Sequence, residues 1–281
     1  MNYLEDTFAD VLSKAQRGLG LTTSTLAEDS GLDPQAVRAL RSGEETTQGL
    51  QPLAERLGLR PEGLRLLADE RYAPPVPDVP GFHIIESPAP MAGYEEMRVN
   101  AYLLHHPESE QAILFDTGTR TERLEEAFAR TGRQLTALFV THTHWDHVEV
   151  LDALSEAHPE MAAYGPGEGD RSLFEPLEPG SQLTLGGLEI EARATPGHAP
   201  AAFSYVVRGL AVPVAVVGDA LFAGSVGGIP PEAYAAGLAA VREQLFSLPD
   251  ETIVAPGHGR LTTIGYERLH NPFFPTLGAE A

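Results

Sequence analysis

The 281-residue chain contains no cysteine. That absence excludes disulfides, thiolate zinc sites, iron–sulfur clusters and cysteine nucleophiles together. Any metal must be held by histidine, aspartate or glutamate. Positive charge is scarce: 19 Lys and Arg stand against 40 Asp and Glu, a formal net charge of −21. Such a surface repels nucleic-acid phosphates at long range, and no basic run offers a local channel, which argues against a nuclease. No apolar run approaches the roughly eighteen residues that a membrane helix needs. The N-terminus has no basic stretch leading into an apolar one, so no signal peptide is expected, and the cytoplasm is the expected compartment. Hydrophobic residues make up 42% of the chain, enough for one large domain plus a small one.

What is present is concentrated in one place. Thr141-His142-Thr143-His144-Trp145-Asp146-His147 follows directly on the apolar run Ala137-Leu138-Phe139-Val140. The run reads as a buried strand, so the ligand-bearing residues fall on the loop at its C-terminal edge, where open α/β sheets place their sites. Three histidines and an aspartate within six residues are a density that packing does not require. Three later segments each set one more such residue after a strand or in a glycine turn. They are Thr195-Pro196-Gly197-His198, Val216-Val217-Gly218-Asp219 and Ala255-Pro256-Gly257-His258-Gly259.

The spacing divides the chain. Residues 1–73 carry apolar positions at helical intervals: Leu4, Phe8, Val11, Leu12, Ala15 and Leu19, then a segment capped at Thr22 or Thr23 with Leu26 and Ala27. Asp33 is placed to cap a helix with Pro34 in its first position, running through Val37 and Leu40. Two further helices carry Leu50, Leu53, Ala54 and Leu57, then Leu64, Leu66 and Leu67. Residues 74–81 form a Pro-rich linker. From 82 to 281, short apolar runs alternate with helical segments, predicting strands at His83–Ile85, Ala101–Leu104, Ala112–Phe115, Ala162–Tyr164, Leu188–Ala192, Phe203–Val207, Val212–Val217 and Thr252–Val254. Helices are predicted over Thr121–Thr131, capped by Thr121, over Leu151–Ala157 and over Pro231–Leu248. Helices outside two sheets follow, a layered α/β arrangement.

The pattern Leu26-Ala27-x-x-Ser30-Gly31-Leu32-x-x-x-x-Val37, followed by Leu53-Ala54-x-x-Leu57-Gly58-Leu59-x-Pro61, resembles the helix-turn-helix of phage-repressor-like transcription regulators. The resemblance implies a small all-α domain whose second helix, about Asp33 to Arg41, offers Gln35, Arg38 and Arg41 to DNA. Residues 1–72 hold 12 acidic and 8 basic side chains, a net of −4. That sign places docking, regulation or homodimer formation ahead of DNA binding.

The ordered set His-x-His-x-Asp-His, then His, Asp and His, resembles the metallo-β-lactamase-fold hydrolases over roughly residues 82–275, with Asp116-Thr117-Gly118 also fitting. The resemblance implies an αββα sandwich with two divalent metals at the sheet edges. By matching position, His142, His144 and His198 bind one ion, Asp146, His147 and His258 bind the second, and Asp219 bridges them. Two ions about 3.5–4 Å apart share one hydroxide and polarise a substrate carbonyl. Asp146 then also acts catalytically by orienting that hydroxide, and Asp116 is either a strand-end turn or the hydrogen-bond partner of a ligand histidine. Zinc is the expected metal, with iron or manganese as alternatives.

Within that superfamily, Gly218-Asp219-Ala220-Leu221-Phe222, Gly224-Ser225-Val226-Gly227, Pro256-Gly257-His258-Gly259, Thr262-Thr263-Ile264-Gly265 and Asn271-Pro272-Phe273 resemble the glyoxalase II-like branch. This implies hydrolysis of a small-molecule thioester, ester or lactone. Val148-Glu149-Val150 stands where the family commonly has Gly-Gly, and Gly228 where the glyoxalase branch has Arg. No helical C-terminal extension for glutathione follows Pro275, and no basic cluster is present, so glutathione itself is not the expected substrate. Met91, Tyr94 and Phe222 are candidate pocket residues. Two alternatives stand beside hydrolysis: a mononuclear iron persulfide dioxygenase, and a transcription regulator whose metal domain senses a ligand.

Overall fold

The computed structural model describes residues 3–44, 48–167 and 174–277. Five helices come first: α1 (Phe8–Gly18), α2 (Thr23–Ser30), α3 (Pro34–Arg41), α4 (Leu50–Arg56) and α5 (Pro61–Ala68). Their starts are written locally. Thr7 and Asp10 form a reciprocal capping box on α1, Thr22 caps α2, and Asp33 caps α3 ahead of Pro34. The left-handed Gly31, φ 68°, ends α2 and turns the chain into α3. On α3, Gln35 and Arg38 are exposed, while Arg41 Nε donates to Ser13 Oγ at 3.3 Å.

The proline-rich stretch through Gly81 carries neither helix nor strand. Then follow β1 (Phe82–Pro88), β2 (Arg98–Leu104), β3 (Gln111–Phe115), α6 (Thr121–Thr131), β4 (Gln134–Phe139), α7 (Trp145–Val148), α8 (Leu151–Ala157), β5 (Ala162–Pro166) and β6 (Glu175–Leu177). The second half holds β7 (Gln182–Leu185), β8 (Leu188–Ala194), β9 (Phe203–Arg208), β10 (Val214–Gly218), α9 (Tyr234–Gln244), β11 (Ile253–Pro256), β12 (Thr262–Thr263) and α10 (Ile264–His270). The strands make two six-stranded sheets, ordered β1-β2-β3-β4-β5-β6 and β12-β11-β10-β9-β8-β7.

Period-two alternation builds the layers. Tyr102, Leu104, Phe115 and Phe139 of the first sheet meet Ile190, Tyr205, Val207 and Val216 of the second in one buried core. The opposite faces carry Leu103, Leu114 and Leu138 under Leu124 of α6 and Leu154 of α8. Val206, Ala215 and Val217 lie under Val241 of α9 and Ile264 of α10. The result is a helix–sheet–sheet–helix sandwich.

The N-terminal helices join this second outer layer. Leu12, Leu53 and Leu64 belong to the same buried cluster as Val217, Leu221 and Phe274. At Gly63 a Cβ would fall 2.2 Å from the carbonyl oxygen of His270, so α5 and the end of α10 approach more closely than any side chain allows. Arg60 N–H donates to Pro272 O at 2.7 Å. Its guanidinium donates to Phe274 O at 2.8 Å and to the carbonyls of Leu269 and Leu277.

Two element boundaries differ from the sequence reading. Arg120, not Thr121, is the residue before the first turn of α6, and its side chain makes no capping bond. Helix α9 spans Tyr234–Gln244 rather than 231–248. Pro230 and Pro231 open a turn, with Ala233 N–H donating to Pro230 O at 3.0 Å. Pro249 keeps the preceding Leu248 out of helical geometry.

Candidate metal centre

Five loops meet at one edge of the sandwich. They follow β3, β4, β8, β10 and β11 and carry Asp116, His142 to His147, His198, Asp219 and His258. Parallel pairing of β3 with β4 and of β10 with β11 sends their C-terminal ends to the same side. Two antiparallel steps through β9 bring β8 into line. Glycine permits the closest approach. A Cβ at Gly257 would lie 2.2 Å from Asp219 Oδ1 and 2.6 Å from His147 Cε1.

The side chains converge as three overlapping groups: His142, His144 and His198; His142, His147 and Asp219; Asp146, His147 and His258. Within each, the ligand atoms lie within 4.8 Å of one another. Asp219 stands between the two ends. Its Oδ1 is 3.4 Å from His147 Nε2, and its Oδ2 is 3.4 Å from His198 Nε2 and 3.5 Å from His258 Nε2. Asp146 Oδ2 lies 3.3 Å from His258 Nε2 and 3.9 Å from His147 Nε2. All seven sequence-named residues are therefore brought together.

Outer partners orient four of the five rings. His147 Nδ1–H donates to Asp116 Oδ2 at 2.8 Å. His198 Nδ1–H donates to Gly228 O at 3.0 Å and His258 Nδ1–H to Arg98 O at 2.6 Å. His142 Nδ1–H donates to Thr141 Oγ1 at 3.0 Å, and that hydroxyl donates to Asp116 Oδ2 at 2.8 Å. With each Nδ1 used as a donor, the Nε2 atoms of all four point inward, where a metal ion would displace any proton they carry. His144 completes the ring, its Nδ1 3.1 Å from His142 Nε2 and 2.9 Å from His198 Nε2. Asp116 is the hub of this shell. It also accepts from Thr141 N–H at 2.7 Å, and it holds a left-handed backbone, φ 55°, which aspartate tolerates better than most residues.

The electrostatics follow from burial and pairing. Burial, with the neighbouring His147, pushes His142 down to about 2. Burial also opposes charge on His147, but Asp116 and Asp219 together outweigh it and push its pKa up to about 10. Burial alone would raise both carboxylates; the histidines reverse this, holding Asp146 below and Asp219 well below the usual range.

This donor set fits divalent metal ions. Ring nitrogens of His142, His144 and His198 converge to 2.9–3.1 Å, and one shared cation would satisfy all three at once. His147 Nε2 and Asp219 Oδ1 are buried without a hydrogen-bond partner, although 3.4 Å apart. A buried imidazole and carboxylate left so are costly unless a cation joins them.

The cleft over these residues has a volume of about 430 Å³. Met91, Tyr94 and Phe222 line it, as expected from the sequence. Met97, Trp145, Glu5, Asp6 and Lys14 line it too and escaped the sequence reading. Trp145 had a local signal, sitting inside the histidine motif. The three N-terminal residues had none, because they lie more than 100 positions upstream.

A sandwich that gathers seven His and Asp side chains at its sheet edges, beneath a cleft, is the frame of a metal-dependent hydrolase. The chain belongs to the metallo-beta-lactamase superfamily, whose family model matches residues 94–258. Hydroxyacylglutathione hydrolase GloC of Haemophilus influenzae is 31% identical over 62% of this chain and 92% of that protein. The B3 metallo-beta-lactamase BLEG-1 is 28% identical, with a TM-score of 0.55 over 69% of this chain and 99% of that one. ETHE1 from Myxococcus xanthus is 29% identical, with a TM-score of 0.54 over 63% of this chain and 80% of that one. Among the described residues, no helix is long and apolar enough to cross a membrane.

Proposed function

We propose that the protein is a dinuclear zinc hydrolase that cleaves a small thioester, ester or lactone. One observation carries this reading: two ligand triplets, His142/His144/His198 and Asp146/His147/His258, share one centre with Asp219 between them. His142, His144 and His198 would hold one ion, Asp146, His147 and His258 the other, with Asp219 reaching both. When bound, such a pair supplies Lewis acidity toward a carbonyl and a hydroxide nucleophile at neutral pH.

The chain's own residues supply the rest. Asp146, kept ionised, is placed to accept a hydrogen bond from the attacking water and fix its lone pair toward the substrate. Met91, Tyr94, Trp145 and Phe222 give the cleft an apolar lining that excludes bulk water from the acyl group. Among the described residues, Lys14 is the one cation of the lining and is already paired with Asp6. No clamp for the carboxylates of glutathione results, which supports a smaller acyl compound. The N-terminal helices, with their net negative charge, fit a docking and regulatory role better than a DNA-binding one.

A second reading has its own observation. His142, His147 and Asp219 are a two-histidine, one-carboxylate set, the type that holds non-haem iron for oxygen chemistry such as persulfide oxidation. The convergence of Asp146 and His258 on the same centre supports the two-metal hydrolase over it. The test is thioester and lactone hydrolysis before chelation, after chelation and after zinc is restored. Hydrolysis lost and then recovered is expected. Absence of hydrolysis, with oxygen consumption in iron-loaded protein given a persulfide, would establish the second reading.

A further inference from the structure

The helical region before residue 82 lies outside the matched family segment, yet it forms part of the cleft wall. The chain ahead of α1 crosses the His258 loop so closely that a Cβ on Gly259 would fall 2.8 Å from the backbone nitrogen of Glu5. Lys14 of α1 fixes this strap. Its ammonium bonds Asp6, donates to Val226 O at 2.8 Å and lies 5.0 Å over the Phe222 ring. Three partners occupy the ammonium fully, and its charge is balanced by Asp6.

Glu5 differs. Glu5 lines the same cleft, and its carboxylate takes no hydrogen bond from any described residue. The same cleft is lined by the exposed rings of Tyr94 and Trp145 and by Phe222, whose ring already faces Lys14, while His258, Asp6 and Lys14 act on Glu5 through their charge. A carboxylate among aromatic faces is the chemistry that recognises a cationic nitrogen, through charge and the ring quadrupole together. An apolar lining strengthens both effects by lowering the local dielectric. The net charge of −21 also draws cations toward the surface.

We propose that Glu5 is a specificity-determining residue of the metal cleft and that the substrate carries a cationic nitrogen, held between the Glu5 carboxylate and the aromatic rim of Tyr94 and Trp145. This rests on the reading of the cleft as a hydrolase site. It makes the N-terminal region a component of substrate selection, and it disfavours substrates with a carboxylate at that end.

Binding, not turnover, is the test, so that failure of the hydrolase reading shows separately in the hydrolysis assay. The full-length zinc-loaded protein is titrated calorimetrically with thiocholine and with its neutral isostere 3,3-dimethylbutane-1-thiol, in wild type and in Glu5→Gln. Thiocholine is expected to bind the wild type about tenfold more tightly than the isostere, which is some 1.4 kcal/mol. In Glu5→Gln that preference should fall to about twofold or less, with zinc content and isostere affinity unchanged. Equal affinity of the two thiols for wild type, failure of both to bind, a preference that survives in Glu5→Gln, or loss of zinc from that variant would each overturn the proposal.

Discussion

Asp116 Oδ2 sits 2.8 Å from His147 Nδ1, with both side chains buried, and that one contact sets which nitrogen of His147 faces the metal centre. The same carboxylate oxygen receives the Thr141 hydroxyl that in turn orients His142. One aspartate thus governs a histidine of each ligand triplet. Asp116→Asn would present an N–H₂ toward His147 and favour the tautomer with its proton on Nε2, aimed at the metal. Zinc affinity is expected to fall about 10–100-fold, read by competition with a chromophoric chelator. Unchanged affinity would show that the hydrogen bond is incidental.

His144 separates ligation from folding, because its side chain is exposed while the other histidines of the motif are buried. His144→Ala is expected to lose at least about 100-fold in kcat/KM, while the metal-free protein keeps its stability to within roughly 0.5 kcal/mol. Thermal unfolding in chelator alongside hydrolysis checks both parts. Full turnover in the variant would remove His144 from the site.

Glu267 gives a pH dependence that owes nothing to the metal. Burial pushes its carboxyl up to about 7, despite hydrogen bonds from Thr262, Gly224, Asn271 and Tyr72 that favour the anion. The folded state therefore holds the proton more tightly than the unfolded chain does. The associated stability is complete below about pH 4.5 and is lost as pH rises toward 7, by on the order of 3 kcal/mol. Glu267→Gln can accept from Gly224, Asn271 and Tyr72 through its oxygen and donate to Thr262. It is expected to flatten the stability profile between pH 5 and 7 in denaturant titrations. A profile as steep as wild type would assign the slope to other groups.

Arg60 ties α5 to α10 and the chain after it, its guanidinium donating to the carbonyls of Phe274, Leu269 and Leu277. Arg60→Ala removes the guanidinium from these part-buried and exposed carbonyls, while the backbone bonds Arg60 N–H to Pro272 O and Leu277 N–H to Phe274 O remain. A loss on the order of 2 kcal/mol follows from charge-assisted hydrogen bonds of this kind, equivalent to about 4–8 °C in Tm for a chain of this size. A shift of under one degree in calorimetry would mean that the guanidinium bonds add little to this seam.

What could be read from the sequence follows the range of the interactions concerned. Asp33 ahead of Pro34, or His142 through His147 after an apolar strand, are contiguous, so short-range chemistry specified the caps and half of the metal centre. His198, Asp219 and His258 were legible because each follows a glycine at a strand end, where only a turn toward the sheet edge makes sense. Helix α9 was overextended because its apolar positions continue past both ends, while the backbone is helical only over Tyr234–Gln244, with a turn from Pro230 before it and turns after Leu245. The covering of Val217 and Leu221 by Leu12 and Leu64 had no local signature, since a leucine periodic on a helix does not name its partner. The same holds for Glu5 and Lys14, whose place in the cleft depends on how the N-terminal helices dock.

Metal stoichiometry by elemental mass spectrometry tests the central claim most directly, on purified wild type and His144→Ala with hydrolysis measured on the same samples. Two zinc ions per chain in wild type, with hydrolytic activity, and fewer than two in the variant, are the expected result. A single iron per chain with no hydrolysis, or hydrolysis in protein that holds no metal, would contradict the two-metal account.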